Sequence, residues 1–112
     1  MSDIYFGEWE YMEDMLRDFD ITEETLGGLE VLFATYEQEP YEGMAFVFLK
    51  GKDGRCYIVE ASHCSEYGLE GTWRPTETIP EVIKRQLKYS FLSYSPGGKA
   101  RLIEILSGMH VH

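Results

Sequence analysis

The densest cluster of reactive side chains is Ser62-His63-Cys64-Ser65-Glu66-Tyr67. A cysteine nucleophile needs a base within reach of its sulfur and surroundings that lower its pKa. His63 adjoins Cys64, and adjacent side chains point apart in an extended chain, so it is badly placed as that base. The nearby acids raise a thiol pKa instead of lowering it. The plainer reading is a folded loop whose thiol packs as a small hydrophobe. Zinc is the second chemistry these residues suggest. Cys56, His63, Cys64 and one of His110 or His112 would supply four nitrogen and sulfur ligands. There is no C-x-x-C pair, and adjacent His63 and Cys64 do not readily converge on one tetrahedral ion. His110 and His112 alternate near the end of the chain and read as a solvated tail.

Other motifs carry less. Glu13-Asp14 and Glu23-Glu24 are paired carboxylates, but general acid catalysis needs a carboxyl in an apolar pocket, and the sequence marks none. Ser95-Pro-Gly-Gly-Lys99 echoes a phosphate loop without its G-x-x-x-x-G-K-[ST] spacing, so a turn before a helix is the simpler reading. Trp73, in Gly71-Thr-Trp73-Arg-Pro75, reads as core or as a loop anchor, with ligand stacking as the sharper alternative.

The charge distribution is more informative. Residues 1–43 hold thirteen acids and one base, Arg17, for a net −12, whereas residues 44–112 carry a net +2. Direct binding of nucleic acid or an anionic membrane by the first segment is thus unfavourable, and a basic partner is favoured. A merely solvated face normally mixes both signs. On a helix, Glu10, Glu13, Asp14 and Asp18 would line one side about 5–6 Å apart. Phosphates along a DNA strand are spaced on a similar scale. Glu23, Glu24, Glu37, Glu39 and Glu42 would have to extend that patch, which depends on the fold.

These residues must be positioned by a single domain spanning residues 1–112, since 13.0 kDa divides into two domains only by starving each of core. The aromatic share of 14% excludes disorder for the chain as a whole. No apolar stretch reaches membrane-spanning length, and MSDIYFGEWE lacks the basic and apolar regions of a signal peptide. Two cysteines suit a reducing cytoplasm.

Tyr5, Trp9, Met12, Leu16 and Phe19 recur at spacings of 4, 3, 4 and 3, which predicts a helix over Glu8 to Phe19. Strands are expected at Leu29–Glu37, Gly43–Lys50 and Arg55–Ala61, with Asp53-Gly54 marking a hairpin. Ser62–Thr72 reads as a loop. Thr78-Ile-Pro-Glu81 reads as a capping box opening a helix to about Lys88. A last helix, about Lys99 to Ser107, would bury Leu102, Ile103 and Leu106. The expected fold is α+β: an N-terminal helix, a three-stranded antiparallel meander, and two C-terminal helices packed on one sheet face.

The stretch Tyr41-Glu-Gly-Met-Ala-Phe-Val-Phe48, then Gly54-Arg-Cys-Tyr57, then SHCSEYGLEGTWRPTET over Ser62–Thr78, resembles small acidic proteins of phages and prophages that have no assigned activity. The resemblance covers about Leu32 to Leu87. It implies a viral or mobile-element origin and no mechanism. Family members commonly carry a second cysteine in the loop, where this chain has Glu66, which argues against an obligatory cysteine pair or metal site. By analogy of class, small acidic phage proteins are often inhibitors of host machinery.

Together these readings lead to a non-enzymatic phage protein in the cytoplasm of a bacterial host. It would bind and inhibit a basic protein that handles nucleic acid, such as a defence nuclease, CRISPR effector, restriction complex or polymerase, with nucleic-acid mimicry as one route. Glu10, Glu13, Asp14, Asp18, Glu23 and Glu24 would provide charge, and Tyr67 and Trp73 aromatic anchors. No cofactor or metal is expected. One alternative is a small metal- or thiol-dependent protein using Cys56, His63 and Cys64. Another is a homodimer or larger virion accessory assembly formed through exposed strand edges.

Overall fold

The run Gly43-Met-Ala-Phe-Val-Phe-Leu-Lys50 is apolar at nearly every position, a pattern that suits a strand covered on both faces. It forms the central strand of a five-stranded sheet. The computed structural model describes residues 4–38, 43–63, 69, 71–79, 81–83 and 96–108. The strands are β1 (Tyr5–Gly7), β2 (Glu30–Gln38), β3 (Gly43–Lys50), β4 (Cys56–His63) and β5 (Thr76–Thr78), in that spatial order. β1 pairs with β2 in parallel, and every other pairing is antiparallel. The helices are α1 (Met12–Phe19), α2 (Glu23–Leu26), a third seen at residues 81–83 (α3), and α4 (Pro96–Ser107).

This α+β architecture corrects the expected one. The chain opens on a strand instead of a helix, and the sheet is mixed and five-stranded, not a three-stranded meander. Both sheet faces are covered. Parallel strands cannot be joined by a tight turn, so residues 8–29 must cross over, and α1 and α2 form that connection. With Val31, Ala34, Tyr36, Ala45, Val47, Leu49, Val59 and Ala61 of the sheet, they bury Trp9, Met15, Phe19 and Leu26. On the opposite face, Phe33, Phe46, Phe48, Cys56 and Ile58 pack with Ile83 of α3 and Leu102 and Leu106 of α4.

A bulge at Leu32 explains why β2 alternates imperfectly. Val31 pairs with Leu49 but Phe33 with Phe48, so Leu32 is an extra residue. It lets Leu32 and Phe33 both serve the second face, while Val31 and Ala34 serve the first.

Helix ends follow local chemistry. At the end of α1, Asp20 adopts φ +57°, its N–H donates to the Arg17 carbonyl at 3.1 Å, and the Ile21 N–H donates to the Leu16 carbonyl at 2.9 Å. That is a Schellman closure. Thr78 belongs to β5, opposite Cys56, and helical bonding in α3 starts with the Val82 N–H donating to the Ile79 carbonyl. α4 begins at Pro96, a favoured first-turn residue, and takes in the two glycines read from sequence as a chain break. Ile103, expected inside, is exposed, while Leu102 and Leu106 are buried. The expected extension of α3 to Lys88, His110 and His112 lie outside the described residues. Among the described residues, no helix is long and apolar enough to cross a membrane.

Candidate functional site

Strand geometry excludes a zinc ion shared by Cys56 and His63. Cys56 and His63 are the first and last residues of β4, which pairs with β3 without interruption. Seven residues of strand separate their Cα atoms by about 23 Å. Zinc ligands lie about 2.0–2.3 Å from the ion, so these two residues cannot share one. Cys56 is buried, and burial pushes its thiol pKa up, the opposite of activation. Among the described residues, no three potential ligands are grouped to hold a metal. Cys64, Glu66 and Tyr67 lie outside the described residues.

The acidic segment is built differently from a straight helical ladder. α1 starts at Met12, so Glu10 precedes it. Asp14 turns back toward the helix start, where its Oδ2 accepts the backbone N–H of Glu10 at 2.9 Å and of Tyr11 at 3.1 Å. This is the carboxylate half of a capping box, satisfying donors that a helix start leaves open. Asp18 Oδ2 accepts the indole Nε1–H of Trp9 at 2.7 Å. Arg17 spans both carboxylates, 3.3 Å from Asp14 and 3.8 Å from Asp18. Two of the four stripe residues are therefore occupied in holding the fold, and so is the segment's one base.

Glu10 and Glu13 remain exposed, as do Glu23 and Glu24 on α2, and none is paired with a described cation. Trp73 is half-buried, its ring edge-on to Phe19 at 5.1 Å. It anchors its loop to the α1 side of the core.

Asp14 carries a testable pH dependence. The amide donors of Glu10 and Tyr11, with a smaller contribution from Arg17, hold its carboxyl below the usual range. A depressed folded-state pKa contributes stability that is complete above the unfolded value of about 3.9 and fades as pH falls through the folded value. Asp14→Ala should cost about 1 kcal/mol at neutral pH. It should also flatten the fall of the urea midpoint below about pH 4, measured against the parent.

The β1–α1 junction also creates a groove that the sequence did not reveal. β1 ends at Gly7 with φ +70°, the chain reverses through Trp9, and α1 departs from Tyr11. The space enclosed is about 640 Å³, open on one side, with described walls of Tyr5, Phe6, Gly7, Trp9, Glu10, Tyr11, Met12 and Glu13. Trp9 is 1% exposed and forms a fixed wall, whereas Tyr11 is 63% exposed. Burial, and then the neighbouring Glu13 carboxylate, raise the Tyr5 pKa, so its hydroxyl stays neutral. The volume lies within the range of ligand pockets, and the walls combine aromatic rings with carboxylates that have no described cation. Comparison with protein-family models, curated protein sequences and solved structures returns no match.

Proposed function

We propose that this is a non-enzymatic binding protein of phage type, acting in the bacterial cytoplasm, whose acidic N-terminal half docks on a basic surface of a host protein that handles nucleic acid. Inhibition follows from competition, because carboxylates would occupy the surface that phosphates need. The supporting observation is that thirteen acids face one base in residues 1–43, and that base, Arg17, is tied to Asp14 and Asp18. Among the described residues, Glu10, Glu13, Glu23 and Glu24 have no cation partner. Their charge would steer encounter and raise the association rate. With Asp14 tied to the helix start and Asp18 to the Trp9 indole, an acidic docking face fits better than a regular phosphate-like ladder.

The test is a charge reversal that spares the two structural carboxylates. The E10K/E13K/E23K/E24K variant should fold like the parent and slow association with the captured partner at least tenfold at low salt. Added duplex DNA should displace the parent from that partner. Association at the parental rate, or a partner indifferent to both salt and DNA, would overturn the proposal.

A further inference from the structure

From the β1–α1 groove we infer a binding site for the guanidinium of an arginine on the partner, a reading that rests on the acidic docking proposed above and assigns its anchor point. A guanidinium is planar and weakly hydrated; it stacks on aromatic faces and pairs with carboxylates. The groove offers both features together. Tyr5 and Tyr11 supply rings, and Glu10 and Glu13 stand among its walls with no described cation. Phosphate is the obvious competing ligand, because the groove lies at the start of α1, where amide donors attract anions. Here the amides just before the helix, Glu10 and Tyr11 N–H, already donate to Asp14, which brings a third carboxylate to the helix start beside Glu10 and Glu13. The local field is therefore that of the carboxylates, and the groove selects a cation. The Trp9 wall is held by its bond to Asp18 before any ligand arrives, which reduces the ordering cost of binding.

Exposed Tyr11 gives a clean probe, because its ring is not part of the packed core. The measurement is amide NMR on the full chain titrated with an acetylated, amidated Gly-Gly-Arg-Gly-Gly peptide. Saturable shifts are expected over residues 5–13, several-fold weaker with lysine in place of arginine. They should vanish with citrulline, which keeps the shape and loses the charge. Tyr11→Ala should weaken binding about fivefold, and the E10Q/E13Q pair about tenfold. Equal shifts from the citrulline peptide, or unchanged affinity in Tyr11→Ala, would overturn the assignment. A blocked nine-residue lysine peptide separates the two readings. If it shifts Glu23 and Glu24 while the arginine peptide leaves residues 5–13 unmoved, the groove assignment fails and acidic docking stands. If neither peptide binds, both fail.

Discussion

Gly7→Val should destabilise the fold by about 3–5 kcal/mol, a large part of the 5–15 kcal/mol that holds a typical domain together. Two effects combine. At φ +70° any side chain suffers left-handed strain of about 1–2 kcal/mol. A Cβ at this position would also lie 2.1 Å from the Tyr36 carbonyl oxygen and 2.9 Å from its carbon, both backbone atoms of the adjacent strand. That oxygen accepts the Glu8 N–H at 2.8 Å, closing the parallel pair of β1 and β2. Relief of the clash would detach β1 and open the groove beside it. Gly54 separates the two effects. It has φ +87°, and an added Cβ there meets nothing within 4 Å. In urea titrations Gly54→Ala should show strain alone, about 1 kcal/mol, with Gly7→Ala well beyond it. Equal costs at the two positions would show that the close approach to Tyr36 does not govern stability.

The three central strands were legible because their residue types and turn signals are local. Asp53-Gly54 lies in the β3–β4 connection, where the Gly51 N–H donates to the Arg55 carbonyl at 2.8 Å. The architecture around them was not, for two physical reasons. Five consecutive buried residues, Ala45 to Leu49, require cover on both sheet faces, and an apolar run without alternation is that signal. Reading helices onto one face ignored it. The second reason is a coincidence of sides. Tyr5, Trp9, Met12, Leu16 and Phe19 share helical spacing, and all pack in the cluster on one sheet face, yet Tyr5 lies in a strand and Trp9 in the connection before α1. A helical period ran across an element boundary, and Gly7 was the break that marked it.

The site was hidden by the same misreading. A groove at a strand–helix junction does not exist if residues 8–19 form one straight helix. The acidic residues were legible as charge and illegible as roles. Glu10, Glu13, Asp14 and Asp18 look equivalent in sequence; only their partners, the Glu10 and Tyr11 amides and the Trp9 indole, set two structural carboxylates apart from two that have no partner among the described residues.

Trp9→Ala should cost about 3–5 kcal/mol. The ring is fully buried, with centroids 5.3 Å from Tyr36 and 5.8 Å from Phe19, so it joins β2, α1 and, through Phe19, the Trp73 loop. Trp9→Phe should cost less, because it keeps most of the apolar burial and loses chiefly the bond to Asp18, worth about 1–2 kcal/mol. Asp18→Ala should cost a similar amount by leaving the buried indole N–H unpaired, and the double variant should cost less than the two singles added. Strict additivity in urea denaturation would show that the 2.7 Å bond contributes nothing. The result bears directly on function. Asp18→Lys would place a cation against the Trp9 indole and beside Arg17, so it should destabilise the fold as well as change surface charge. Loss of partner binding on reversing Asp18 would therefore report folding, whereas loss on reversing exposed Glu10 and Glu13, with the urea midpoint unchanged, reports recognition.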